Sequence, residues 1–142
     1  MLCTSMILCA INDLYRRRIN MQISVIKENN IEIAVVNSEH ILITDVQSAL
    51  DFFATVDYET GCSRMIINKS LLCEEFFDLS TKIAGEILQK FINYQKKIAI
   101  IGDFSIYTSK SLKDFIYECN KGKDIFFLQS EKQAIEKLSM DL

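Results

Sequence analysis

The sequence has no proline, no tryptophan, four glycines and a single histidine in 142 residues. With no proline and no low-complexity stretch, there is no rigid or flexible linker to divide the chain. The glycines are scattered, so no glycine-rich loop is present to cradle a phosphate. With His40 alone, a metal site of two or more histidines is excluded, and a Ser–His or Cys–His pair has one partner to draw on. Excess positive charge is also missing. Sixteen Lys and Arg against nineteen Asp and Glu give a formal net charge of −3, which argues against a nucleic-acid binder, whose footprint is a basic patch. The five cysteines (Cys3, Cys9, Cys62, Cys73, Cys119) are odd in number and nowhere at C-x-x-C spacing. That pattern fits neither a zinc knuckle nor a redox pair. They read as reduced thiols, several of them small core residues, as in a reducing cytosol.

A long hydrophobic span is lacking too. Met1–Leu14 is mostly apolar and is followed by Arg16, Arg17 and Arg18. A secretory signal carries its charge before the apolar run, and a membrane span needs about 20 apolar residues. This segment reverses that order, is shorter, and contains Asp13. Residues 1–20 therefore read as a leader or flexible N-terminal extension, with a surface or membrane-touching helix as the other reading, and residues 21–142 as one domain. No membrane partner is expected, and the location expected is cytoplasmic.

What is present is ordinary globular material: 49% apolar and 25% charged residues, in a length suited to one domain and one core. From Met21 the pattern is regular. Gln22–Lys27 alternates apolar and polar residues, Glu28–Asn30 is a turn signal, and Ile31–Asn37 resumes as a strand, so the pair reads as a hairpin. Ile41–Ile43 is a short third apolar piece. The period then changes to 3.6. Thr44 and Gln47 have capping-box spacing, and Val46, Ala49, Leu50, Phe53 and Val56 fall on one helical stripe that Gly61 ends. Met65–Ile67 reads as a buried strand. A loop or single helical turn runs through Phe77, and a helix then buries Ile83, Ala84, Ile87, Leu88 and Phe91, with Gly85 explained by close packing. Ile98–Ile101 is apolar throughout, as in a strand covered on both faces. Ser111–Asp114 opens a helix with Leu112, Phe115, Ile116 and Cys119 inward and Gly122 as its left-handed stop. Ile125–Leu128 is the last strand. Ser130 and Gln133 box the start of a helix on Ala134, Ile135 and Leu138. Strands alternating with helices predict right-handed crossovers. The fold class expected is α/β: a single three-layer-like domain with a mixed, mostly parallel sheet, an N-terminal antiparallel hairpin and helices packed on it.

Several runs carry a resemblance. Ile41–Leu50, Tyr58–Cys62, Asn68–Ser70, Phe76–Leu79, Ala84–Phe91 and Thr108–Glu118 resemble a bacterial domain of unknown function, family 4180, over about Met21 to Leu138. That family implies no activity. The element order also resembles the anti-sigma-factor-antagonist (STAS) fold, a four-turn βα superhelix. In its signalling members a Ser or Thr beside an Asp at a helix start accepts a phosphate. That likeness implies Ser80 as the phospho-acceptor, although Leu79 separates it from Asp78 and Lys82 stands where the pattern has a small residue.

In a parallel sheet, ligands collect beyond the carboxyl ends of the strands. The polar residues expected there are Thr44, Asp45, Asn68, Lys69, Ser70, Asp103, Ser105, Ser109 and Lys110. Backbone N–H groups at a helix start, with Lys69 or Lys110, suit an anion. The plain alternative is that these residues are helix caps. Asp103 can be read as a base, a metal ligand or a loop acid. Glu74, Glu75 and Asp78 lack calcium-loop spacing and read as a solvated face. His40 reads as an exposed turn residue, and Cys62 and Cys73 have no cationic neighbour in sequence. Tyr107, Tyr117, Phe115 and Phe104 line a small apolar pocket or pack in the core. No cofactor and no metal are expected. Three functions compete. The first is a non-enzymatic regulatory or docking module that binds a protein partner on the rim of helix starts, or forms a homodimer. The second is a binder of a small anion or lipid-like molecule, and the third a small hydrolase using Asp103 and Lys69.

Overall fold

The computed structural model describes residues 21–140; the expectation for residues 1–20 lies outside them. Its elements run β1 (Gln22–Glu28), β2 (Ile31–Asn37), α1 (Val46–Thr60), β3 (Arg64–Asn68), three short 3₁₀ turns between Lys69 and Thr81, α2 (Ile83–Asn93), β4 (Lys97–Ile101), α3 (Lys110–Lys121), β5 (Ile125–Leu128) and α4 (Glu131–Leu138). The hairpin, the parallel strands and the helix alternation agree with the sequence reading.

The five strands lie in chain order, β1 antiparallel to β2 and every later pair parallel. That order decides where the helices go. Each crossover moves one strand in the same direction, and a right-handed crossover then delivers its helix to the same face every time. Accordingly α1, α2 and α3 share one face. There Phe52, Phe53, Val56, Ile87, Phe91 and Leu112 pack on Ala34, Met65, Ile67, Ile98, Ile100 and Phe127. Among the described residues the last helix leads into no further strand, and it folds over the opposite face. There Ala134 and Leu138 of α4 pack on Ile33, Val35, Ile66, Ala99 and Phe126. Adjacent strand residues thus feed different cores, which is why β3, β4 and β5 are apolar at nearly every position. Arg64, at the start of β3, holds α4 in place by donating from Nη1 to the carbonyls of Leu138 and Met140. These are orphan acceptors at a helix C-terminus, where a cation is favoured.

Several local expectations shift. Ile41–Ile43 forms no strand; it contributes a single parallel bridge, Ile43 to Leu72. The cap of α1 is Asp45 rather than Thr44. Ser48 N–H donates to the Asp45 carboxylate at 2.8 Å while Ser48 Oγ accepts from Asp45 N–H at 3.0 Å, because an Asp–Ser pair closes the same reciprocal box one residue later. The cap of α3 is Ser109, two residues before Ser111, its Oγ accepting from Leu112 N–H. Gly122 is extended (φ −80°) rather than left-handed. Gly85 is exposed and a Cβ there would meet nothing within 4 Å, so close packing does not explain it. At Gly61, by contrast, φ is +67° as a left-handed cap requires. Ser130 caps α4, but Gln133 accepts from Gln129 N–H, one residue beyond the cap. Phe52, which the helical stripe left out, is fully buried.

Candidate functional site

The carboxyl ends of β3 and β4 lie side by side, and the loops leaving them interlock. Lys69 follows β3. Its Nζ donates to the backbone carbonyl of Asp103, just past β4, at 2.8 Å, and it sits 5.0 Å from the ring centroid of Tyr107 and 6.0 Å from that of Phe104. Cation–π attraction holds a lysine ammonium at such distances. The methylenes of Lys69 run directly over Gly102: a Cβ there would come within 2.7 Å of Lys69 Cγ and Cδ. Glycine at 102 is therefore a close-approach requirement. Beneath the lysine is an aromatic stack. Phe77 lies on Tyr107 with centroids 4.9 Å apart, and Phe104 meets Phe127 edge-on at 5.4 Å. Phe115 joins through Phe127. Tyr117 stays outside this group, exposed, with Lys121 over its ring.

Asp103 turns its carboxylate away from this contact. Ser105 donates to Oδ1 twice, from N–H at 3.0 Å and from Oγ at 2.5 Å. The Ser105 hydroxyl, then its N–H, and more weakly the Lys69 charge hold the Asp103 carboxyl below the ordinary carboxylate value. Asn68 is spent on a local turn, accepting from Ser70 N–H at 2.9 Å. Ser109 is the cap of α3, and Lys110 is solvent-exposed beside Asp114 at 3.9 Å. Thr44 and Asp45 both close on Ser48. The structure thus brings Lys69, Asp103 and Ser105 into one interlocked pair of loops. Asn68 and Ser70 flank Lys69 in the same turn but bond to each other, and Ser109 and Lys110 belong to the start of α3.

Ser80 lies in a 3₁₀ turn before α2, not on its cap. Lys82, with φ +65°, separates the two. The Ser80 hydroxyl donates to Asp78 Oδ1 at 2.6 Å, and Ser80 also holds the Asp78 carboxyl below its usual value. A phosphate on Ser80 would stand against that carboxylate, an unfavourable like-charge contact. His40 is exposed and Cys73 buried; burial pushes the Cys73 thiol up, away from the thiolate form that reacts. Among the described residues there is no group of three His, Cys, Asp or Glu placed to hold a metal ion, and no helix long and apolar enough to cross a membrane.

One concavity was not foreseen. Leu50, Phe53, Ala54 and Tyr94 line an apolar groove of about 270 Å³ between α1 and the end of α2, closed at one end by Lys96 and Asp57 in an ion pair at 2.8 Å. Leu50 and Phe53 were readable as helix stripe. Tyr94 and Lys96 follow the end of α2, where periodicity carries no signal.

These features define a mixed α/β module with a pinned loop pair at the carboxyl edge of its sheet. The chain belongs to the family described as "Domain of unknown function (DUF4180)", which matches residues 28–138. Among curated proteins and solved structures, none matches the chain.

Proposed function

We propose that the protein is a non-enzymatic regulatory docking module of the cytoplasm, and that the loops beyond the carboxyl ends of β2 and β4 contact a protein partner. One observation carries the reading. The 102–109 loop is pinned by Lys69 of the neighbouring loop and, from within, by Ser105, yet Ile106 on the same loop is 62% exposed. Ile41, on the loop after β2, is 54% exposed. A rigid loop presenting apolar side chains among satisfied polar groups suits a protein interface, whose core is apolar and whose rim is polar. The STAS-like element order points the same way. The test is affinity capture from the native cell with the wild-type chain and with I41D and I106D, followed by reconstitution from purified components. The expected outcome is one stoichiometric partner whose binding to the purified chain falls at least about tenfold in the variants. Recovery of the same proteins by wild type and variants alike would overturn the proposal.

A second reading has its own support. The groove of Leu50, Phe53, Ala54 and Tyr94 is mostly apolar with one charged end, the composition of a site for a small lipid-like molecule.

A further inference from the structure

The sheet has two outer edges, and the fold treats them differently. On β5, Asp124 and Leu128 give their carbonyls to Ile98 and Gly102, at 2.9 and 3.0 Å. Alternation then turns Phe127 outward. Asn120 of α3 closes that position: Phe127 N–H donates to Asn120 Oδ1 at 2.7 Å, and Asn120 Nδ2 donates to the Phe127 carbonyl at 3.1 Å. One side chain thus takes the place of a neighbouring strand.

No strand pairs with the outer edge of β1 among the described residues. The hairpin turn is Asn29–Asn30, both at positive φ (52° and 64°), and Glu28 faces Ile31 across it. Such a two-residue turn makes the flanking residues a hydrogen-bonded pair. By alternation the even-numbered residues of β1 bond to β2, and the N–H and C=O groups of Ile23, Val25 and Lys27 point outward. The register is unbroken from Gln22 to Glu28. It holds no bulge and no proline, two of the devices that ordinarily blunt an edge. Val25, at the midpoint, is 48% exposed.

We propose that β1 pairs antiparallel with β1 of a second copy of this chain, about a two-fold axis at Val25, so that one sheet runs through both copies. The strand matches itself in that register. Val25 faces Val25 of the second copy, Ile23 faces Lys27, Ser24 faces Ile26, and Gln22 faces Glu28. Every residue of β1 is paired, no like charges stand opposite, and the Gln22 amide can donate to the Glu28 carboxylate. An axis at Ile26 shortens the pairing to Ser24–Glu28, and one at Ser24 shortens it to Gln22–Ile26. An axis at Lys27 sets two ammonium groups against each other. Val25 is the centre that uses the whole strand. A contact through one seven-residue strand on each copy is small beside the interfaces of permanent dimers, so the dissociation constant is expected in roughly the micromolar range. The proposal rests on the sheet edge and not on the rim loops.

Sedimentation equilibrium of the full chain, with amide hydrogen exchange read residue by residue, tests it. The wild type is expected to dimerise, with the amides of Ile23, Val25 and Lys27 exchanging at least about tenfold more slowly than in V25K. In V25K two charges oppose each other at the axis, and the dimer is expected to weaken about tenfold or more, while circular dichroism stays that of the wild type. Three results would overturn the proposal: a wild-type monomer at all concentrations, a dimer whose three amides exchange alike in wild type and V25K, or a monomer in which those amides are protected by the chain's own residues. The wild-type exchange measurement decides even where V25K does not fold.

Discussion

At the scale of single residues, the polar groups of the carboxyl edge other than Lys69 act through hydrogen bonds made within a few residues of themselves. Asp103 and Ser105 show the pattern, and it has a consequence with pH. The Asp103 carboxyl is held below its ordinary value chiefly by the Ser105 hydroxyl and N–H. A group with a lowered folded value contributes stability above the ordinary carboxylate pKa, near 4, and that contribution is lost as the pH falls through the lowered value. Asp45 and Asp78 are shifted the same way by Ser48 and Ser80. Ser105→Ala should therefore raise the Asp103 pKa toward the ordinary value and flatten the acid limb of the stability curve below about pH 4. Carboxyl titration by NMR with urea midpoints between pH 2 and 6 checks this; an Asp103 titration that does not move in the variant contradicts the hydrogen-bond assignment. Asp103 and Lys69 were legible as residues at the ends of β3 and β4. That lysine would bond the aspartate's backbone carbonyl, and serine its carboxylate, was not legible, because both contacts depend on loop geometry.

At the scale of elements, strands and helix stripes were readable from period, but several boundaries moved by one or two residues. Caps explain the shift. Thr44–Gln47 and Asp45–Ser48 both have the spacing of a reciprocal box, and the competition is settled by Ser48 Oγ, which accepts from both Thr44 and Asp45 N–H. Sequence spacing cannot rank two adjacent boxes. The Asn120 clamp on β5 was also invisible, since a polar residue near the end of a helix carries no mark of the strand edge it will meet. Its removal is informative. Phe127 is 4% exposed, so Asn120→Ala leaves one donor and one acceptor unpaired and should destabilise by about 1–3 kcal/mol. It should also speed exchange of the Phe127 amide. Denaturant unfolding and amide exchange measure both, and a loss well under 0.5 kcal/mol, on the order of an ordinary surface change, would show that water replaces the clamp.

At the scale of the whole molecule, the chain makes two cores on the two faces of one sheet, and they are unequal. The larger lies under α1, α2 and α3. The smaller depends on α4, through Ala134 and Leu138. Leu138 is 1% exposed and its carbonyl takes the Arg64 guanidinium, so Leu138→Ala should cost about 2–5 kcal/mol. Faster amide exchange in α4 than in α1 should accompany it. Uniform loss of protection across both faces would instead show that the two cores unfold as one. The sequence by itself determined the mixed α/β class, the order of the elements, the antiparallel hairpin and the apolar strands covered on both faces. Each of these follows from local period and turn chemistry. Tertiary structure alone decided that three helices share one face and the fourth takes the other, that Lys69 reaches across to Asp103, and that Asn120 closes the β5 edge at Phe127 while no strand among the described residues pairs with the outer edge of β1. Those outcomes depend on strand order and on contacts between residues far apart in the chain, which local pattern does not encode.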